Sequence, residues 1–521
     1  MQLKQFDVSS TKKIINKETY TYFQYPVHFN KALSELHQLP ESYHEILANQ
    51  NLFKLTNYCI NNVKAYKSFL SEKNFNLSKI TSLDEFKLLP PIPKSYVSEN
   101  QINDLVPASR LNEIITFSST SGTTGSPVFF PREEIHDIQN MFATEIYLTS
   151  QFQVHKKKTL AILGFGLGIW IGGMITFKAL YNIASSNKYP LTVVPTGLNL
   201  QTIVTTISRL QDQYDQIILI GYPPHIKDMI AEINTAGLNF NNLNIKVLTA
   251  AENYSEEYRS FLQTNLNIKN KYDSFVNIYG SVEFGTMGFE TPLSILIREI
   301  CHKNPTIRQA LFPNTKILPS LVQYNPKLIH FEEINGELLL SGYGSSFPLI
   351  RYKIGDIGGI IKFNEMILLL KKFNIDIIEL LREKVDFKSV LQLPFVYVGD
   401  PTNKVLSYYG INIYPVYIRN LLNLAMKKHN ITGRFKLAKT QDDRFNEYLN
   451  IFIELSKNGS ITDTEVNLLS NSIFQTLKEK SSEYLELYKS KGKSVIPNIK
   501  VIKYRESPFE DFMHKEKWVL K

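Results

Sequence analysis

Several stretches of this 521-residue chain hold side chains whose types and spacing suit chemistry. One is Ser118-Ser119-Thr120-Ser121-Gly122-Thr123-Thr124-Gly125-Ser126-Pro127. Its hydroxyls, and the backbone N–H groups that glycine leaves uncovered, are donors suited to an anion. Ile114, Ile115 and Phe117 precede it and Val128, Phe129 and Phe130 follow, which predicts a loop between two buried strands. Composition leaves two readings open, a serine–threonine surface hairpin and a phosphate cradle. It is not a Walker loop, because Ser126 and Pro127 follow Gly125 where that motif requires lysine. A phosphate held here must take its cation from a metal or from a distant basic residue.

A second stretch, Gly164-Phe165-Gly166-Leu167-Gly168-Ile169-Trp170-Ile171-Gly172-Gly173, follows a strand-like run, yet no register gives Gly-x-Gly-x-x-Gly. Its glycines fit either close helix–sheet packing or backbone approach to a ligand, with Phe165 or Trp170 as a wall. Further on, Val276-Asn277-Ile278-Tyr279 runs into Gly280-Ser281-Val282-Glu283-Phe284-Gly285, a strand and a glycine-bounded turn that carries a carboxylate. Arg351-Tyr352-Lys353-Ile354-Gly355-Asp356 is hairpin-like and presents a second one. Taken singly, Glu283 and Asp356 read equally as solvated turn residues. The tail, Met513-His514-Lys515-Glu516-Lys517, offers two lysines that composition alone leaves in solvent.

The elements that must position these groups follow an α/β pattern. Residues 159–163, 191–194, 217–220 and 245–248 are short β-rich runs, with helical candidates at 174–183, 200–211 and 226–236 between them. That alternation predicts a parallel sheet with helices on both faces, whose ligands gather at the C-terminal ends of its strands. Around 337–342 and 351–358 the pattern turns antiparallel. Residues 1–110 read as a mainly helical lead-in broken by Leu88-Leu89-Pro90-Pro91-Ile92-Pro93. A seam at 399–404 (Gly399-Asp400-Pro401-Thr402-Asn403-Lys404) separates a large N-terminal domain, 1–398, from a small α+β domain, 405–521. Helices are expected in the latter over 416–428 and 463–480, with strands over 448–455 and 499–504.

Bulk properties narrow the classes. There are 58 basic against 49 acidic residues, a net charge of +9, too mild and too scattered for a nucleic-acid surface. Only Cys59 and Cys301 are present, which excludes a disulfide framework or zinc spacing and suits the cytosol. Met1-Gln2-Leu3-Lys4-Gln5 opens no signal peptide. The uncharged run 160–177 approaches membrane-span length, but its five glycines fit a strand, a turn and a buried helix better.

Together the motifs resemble the adenylate-forming superfamily, which includes acyl-CoA synthetases and peptide-synthetase adenylation domains. Residues 120–127 look like its phosphate loop. Ala250-Ala251-Glu252-Asn253-Tyr254-Ser255-Glu256-Glu257 is similar to a Gly-Ala-Glu-Pro-Trp-Ser-Glu segment of its phenylacetate-CoA ligase branch. Tyr279-Gly280-Ser281-Val282-Glu283 resembles its Tyr-Gly-x-x-Glu, and residues 351–356 its Arg-Tyr-x-Thr-Gly-Asp. Tyr409-Gly410-Ile411-Asn412-Ile413-Tyr414-Pro415 resembles the segment that opens a mobile C-terminal domain. The five motifs span roughly 115–415, in the family's order.

The resemblance implies activation of a carboxylic acid by MgATP to an acyl-adenylate, with release of pyrophosphate. Acyl transfer then goes to a thiol (CoA or a carrier protein) or to an amine. By the same resemblance Thr120, Ser121, Gly122, Thr123, Thr124 and Gly125 wrap the phosphates. Glu283 helps hold Mg²⁺, and Asp356 accepts from the ribose hydroxyls. Ala251, Glu252, Asn253 and Tyr279, with Gly280 and Ser281, line the adenosine. Lys515 is implied as the catalytic lysine, with Lys517 as its competitor. Phe165, Gly166 and Trp170 are candidate walls of the acid pocket, and Asp400 and Asn403 fall in the hinge. That hinge lacks the family's arginine, which leaves a nucleotide-binding homologue without turnover as the alternative. Neither nucleic acid nor membrane is an expected partner.

Overall fold

The β-rich runs between 159 and 250 are mostly apolar, so the central ones must be covered on both sides. In the computed structural model this is what they do. It describes residues 29–75, 79–120, 128–167, 171–238, 243–313, 315, 317–342, 347–385, 390–399, 406–425, 429–510 and 518–520. Strands β1 (Thr116–Thr120) and β2 (Val128–Arg132) form a separate antiparallel ribbon. Strands β3 (Thr159–Leu163), β4 (Leu191–Val194), β5 (Gln216–Gly221), β6 (Ile245–Ala250) and β7 (Phe275–Ser281) are parallel, in spatial order β4-β3-β5-β6-β7.

The two-residue period of a strand divides their side chains between two cores. Leu160, Ile162, Ile217, Leu219, Ile245 and Val247 face helices Leu200–Leu210, Pro223–Thr235 and Glu256–Asn265. Ala161, Leu163, Ile218, Ile220 and Leu248 face helices Glu134–Ser150 and Ile171–Ser185. The order reverses at β3, and ligands of such sheets bind beyond the C-terminal ends of the strands.

The sheet continues antiparallel through β8 (Gly285–Phe289), β9 (Ser320–Gln323), β10 (Ile329–Ile334), β11 (Glu337–Gly342), β12 (Tyr352–Ile361) and β13 (Phe395–Val398). The order β7-β8-β9-β13-β12-β11-β10 makes eleven strands in all. The lead-in helices, Glu41–Asn62 and Lys64–Glu72 among them, pack on this half. Its proline-rich turn is stitched to β12: Ile92 N–H donates to the Arg351 carbonyl (3.0 Å) and Lys353 N–H to the Ile92 carbonyl (2.9 Å). Buried Arg351 bonds the Lys87 and Leu89 carbonyls and pairs with Glu332 at 3.0 Å.

Strands β14 (Leu406–Tyr408), β15 (Ile411–Ile413), β16 (Ile431–Gln441), β17 (Glu447–Leu455) and β18 (Asn498–Ile502) build a C-terminal α+β unit. Helices Pro415–Ala425, Asp463–Lys480 and Ser482–Lys491 complete it around a core of its own, from Leu406 to Val495.

Two expectations need adjusting. The strands flanking the hydroxyl-rich loop are not simply buried: Phe117 and Phe129 are 42% and 49% exposed and pair edge to face, while Ser118, Ser119 and Phe130 are buried. A two-stranded ribbon standing off the main sheet has no second layer to cover both faces. Strand β16 carries polar and apolar residues in turn, and composition had not marked it. The uncharged run 160–177 divides between β3 and the Ile171–Ser185 helix. Among the described residues no helix is long and apolar enough to cross a membrane.

Candidate active site

The motif residues converge at the C-terminal ends of β6 and β7. β6 delivers Ala250 into a bend where Ala251 adopts φ +74°, an unfavourable conformation for a residue with a side chain. Glu252 and Asn253 follow, and Asn253 Nδ2 donates to the Leu318 carbonyl at 3.1 Å. The bend rests on four buried charges. Arg259 pairs with Glu256 (2.9 Å) and Glu290 (2.7 Å), Arg298 reaches both carboxylates at 3.2 Å, and Arg298 Nη2 also bonds the Tyr254 carbonyl.

β7 delivers Tyr279, Gly280 and Ser281. A Cβ on Gly280 would stand 2.7 Å from the Gly285 carbonyl oxygen, so glycine is required where β7 and β8 pinch together. The turn that follows carries Glu283, and Ser281 Oγ accepts from Phe284 N–H at 3.3 Å. Asp356 lies within β12 opposite this turn. Tyr279 Oη donates to Asp356 Oδ2 at 2.6 Å, and Tyr352 Oη to Glu283 Oε1 at 3.0 Å. Burial raises the Asp356 carboxyl above its ordinary range; the Tyr279 hydroxyl and Lys94 oppose that, and Glu283 adds to it. Burial and the Asp356 carboxylate push the Tyr279 phenol well up, so it remains a donor.

Sequence reading missed two cations here. Lys94 Nζ lies 3.8 Å from the point where a Cβ on Gly355 would stand, beside Asp356. Arg132 ends β2 and is fully enclosed: Nε donates to Ser118 Oγ at 3.2 Å, Nη2 to the Val282 carbonyl, and Nη1 has no partner among the described residues. Burial lowers its guanidinium to about 10, against the pull of Glu283 and Asp137, so it stays charged at neutral pH. His136, next to it, is driven well down by burial and by Arg132, and is neutral.

Phe165 and Gly166 lie apart from this cluster, past the end of β3. Phe165 is buried with its ring 5.1 Å from that of Tyr222, and Gly166 N–H donates to Tyr222 Oη at 3.2 Å. A Cβ on Gly173 would come within 2.0 Å of the Gly166 carbonyl oxygen, so close packing accounts for that part of the glycine run. Ser121, Gly122, Thr123, Thr124, Gly125, Trp170, Asp400, Asn403, Lys515 and Lys517 lie outside the described residues, and Thr120 is described only as the last backbone position of β1.

The C-terminal unit reaches the same edge. Tyr409 (φ +50°) and Gly410 (φ +77°) form the two-residue tip between β14 and β15, a turn with both central residues left-handed. A Cβ on Gly410 would fall 2.5 Å from the Tyr222 ring, and Gly410 N–H donates to Glu252 Oε1. Among the described residues no three His, Cys, Asp or Glu side chains cluster to hold a metal.

No family model matches the chain, and no curated protein matches it. Solved structures do. The chain is similar to 2-hydroxyisobutyryl-CoA ligase in complex with 2-HIB-AMP and CoA in the thioesterification state, at 14% identity over 94% of this chain and 91% of that one, with a TM-score of 0.61. An open conformation of that ligase scores 0.51 at 14% identity, over 93% and 92% of the two chains. Its postadenylation state with 2-HIB-AMP scores 0.50 at 14% identity, over 94% and 91%. The likeness is one of fold: this chain has the fold of adenylate-forming ligases.

Proposed function

We propose that the protein activates a small carboxylic acid with ATP, releasing pyrophosphate, and passes the acyl group from the adenylate to a thiol, as a cytosolic member of the phenylacetate-CoA ligase-like branch. The observation that carries this is the paired arrangement of Tyr279 with Asp356 and Tyr352 with Glu283 at the strand ends, next to the 251–253 bend. A dry carboxylate given one phenolic donor keeps acceptor capacity for the vicinal hydroxyls of a ribose. Glu283, with Arg132 behind it, suits the triphosphate and its Mg²⁺, which neutralises charge on the phosphates when bound. In this reading Ser121–Gly125 wraps the phosphates from the end of the β1–β2 ribbon, and Ala251, Glu252 and Asn253 border the adenine.

The chain's own groups supply positioning and electrostatics. The acid's carboxylate attacks the α-phosphorus, and the developing charge is met by loop N–H groups and by a cation brought from the tail, Lys515 before Lys517. A cavity bordering Glu283 is lined by Ile146, Met287, Phe289 and Phe347, with His136, Gln139, Asn140, Thr286 and Asn325 among its polar groups, which suits an acid with a partly apolar body. Phe165, Gly166 and Trp170 mark the other candidate wall. Rotation about 399–404, with Asp400 and Asn403, then exchanges the small domain's two working positions, and CoA is the first acceptor to test. The experiment is acid-dependent exchange of pyrophosphate into ATP across a panel of acids, followed by thioester analysis with CoA. Exchange with at least one acid is expected; ATP binding without any exchange would overturn the reading in favour of a nucleotide-binding homologue.

A further inference from the structure

Glu252 is nearly dry, its side chain 3% exposed, yet both bonds to its carboxylate come from the C-terminal unit. Oε1 accepts from Gly410 N–H and Oε2 from Lys439 Nζ at 2.8 Å. Lys439 also pairs with Glu447 at 2.9 Å, and that side chain is 2% exposed. Glu447 accepts in addition from Gln441 Nε2 (3.0 Å) and Tyr409 N–H (3.3 Å). Two carboxylates thus share one ammonium across the seam. A carboxylate in so dry a setting requires its partners, so separating the two units means rehydrating Glu252 or re-pairing it. The surrounding seam is held independently, by Lys491 with Asp228, by Lys227 with Asn446, and by the Phe445 ring 5.1 Å from those of Tyr258 and Phe261.

Lys439 also sits on the strand that carries the tail. Leu437 N–H donates to the Trp518 carbonyl (2.6 Å) and Leu520 N–H to the Leu437 carbonyl (2.7 Å), an isolated bridge that adds the last residues to the edge of β16. Residues 518–520 are therefore fastened to β16 two residues from Lys439. The fold as a whole scores 0.61 against the thioesterification state of the comparison ligase and 0.50 against its postadenylation state.

We propose that Lys439 is a positioning residue for acyl transfer: seated between Glu252 and Glu447, it holds the β14–β15 tip and the tail in the transfer arrangement, and it must leave Glu252 before the tail lysine can serve adenylation. This rests on the function proposed above. It predicts that the two half-reactions respond differently to the loss of one lysine.

The test uses the full chain with Lys439→Met and Lys439→Arg. Two measurements follow turnover: acid-dependent pyrophosphate exchange, and thioester formation from added acyl-adenylate and CoA. A third does not, the distance between spin labels at Lys156→Cys and Lys480→Cys, both exposed sites; native Cys59 and Cys301 are buried and stay unlabelled. Lys439→Met is expected to lower thioester formation at least tenfold, keep exchange within twofold of wild type and broaden the distance distribution. Lys439→Arg is expected to restore most of the transfer. Should Lys439→Met not fold, Lys439→Met with Glu447→Gln removes the surplus buried charge and is expected to show the same split. Unchanged transfer, or equal loss of both half-reactions, overturns the positioning role. A distance distribution identical to wild type overturns the latch itself. A wild type with neither exchange nor transfer overturns the functional reading instead, and the distance measurement still decides whether Lys439 holds the seam.

Discussion

Tyr279→Phe isolates the contact on which the proposed nucleotide site depends. The substitution deletes one oxygen and leaves the ring in its partly buried place beside Phe331. What is lost is the 2.6 Å bond to Asp356 Oδ2, which favours the ionised carboxylate against a burial that disfavours it. A hydrogen bond to a charged group is worth roughly 1.5–3 kcal/mol. Its loss therefore moves the Asp356 carboxyl further up, by the pH equivalent of that energy. The sign is fixed, because the donor stabilises only the charged form to any extent and its removal favours protonation. Asp356 must be ionised to accept from two ribose hydroxyls, so the acidic limb of kcat/KM for ATP, which reports the free enzyme, moves to higher pH by that amount. At a fixed pH inside the limb this reads as a roughly 10- to 150-fold loss. The assay is pyrophosphate exchange against pH with ATP varied, and Asp356→Asn as control should have no such limb. A limb that stays in place in Tyr279→Phe, or that survives in Asp356→Asn, refutes the assignment of Asp356 to the ribose.

Arg259→Met leaves two carboxylates and one guanidinium in a dry site and should cost about 3–5 kcal/mol, read as a lower urea midpoint; a loss under about 1 kcal/mol would mean water already reaches the network. Gly173→Ala should destabilise by about 1–3 kcal/mol through overpacking on the Gly166 carbonyl, whereas Gly172→Ala, with nothing within 4 Å of the new methyl, should be neutral or slightly stabilising in the same denaturation series. Burial, and next to it the Glu252 carboxylate, push Glu447 up to about 7, opposed by Lys439; its other neighbours are Gln441 and the phenols of Tyr258, Tyr408 and Tyr409, all raised by burial. A raised acid favours the docked form at low pH, a gain lost as pH climbs through 7, so label distances should be tighter at pH 6 than at pH 8, and Glu447→Gln should abolish the difference.

The parallel half of the sheet was legible because each of its strands is an apolar run bounded by helical periodicity, and burial on both faces leaves no other choice for such a run. The helix over 463–480 was legible from its own local pattern. Strand β16 was not. Ile431–Gln441 pairs with β17 through a register shift, and its Lys439 finds its partner Glu252 187 residues away. The hydroxyl-rich ribbon was half legible: its turn chemistry is local, whereas the exposure of Phe117 and Phe129 depends on where the ribbon stands relative to the main sheet.

The site divides along the same line. Glu283 and Asp356 were visible as carboxylates in glycine-bounded turns, since the turn and the acid are adjacent in sequence. The cations were not, because nothing local distinguishes Lys94, Arg132 or Lys439 from a solvated base. Lys94 reaches Asp356 only because the proline turn at 90–93 bonds to the backbone at Arg351 and Lys353, and Arg132 reaches Glu283 only because β2 ends there. Lys439 becomes informative only once the Glu252 carboxylate is seen to have, among the described residues, no hydrogen-bond donor on its own side of the seam. The missing Walker lysine directed attention to the tail. The structure adds two fixed cations, Lys94 beside Asp356 and Arg132 beside Glu283, while residues 518–520 are held elsewhere on β16. Under the function proposed above, resident and travelling cations would divide the labour: binding charge that persists through both half-reactions, and catalytic charge present in only one.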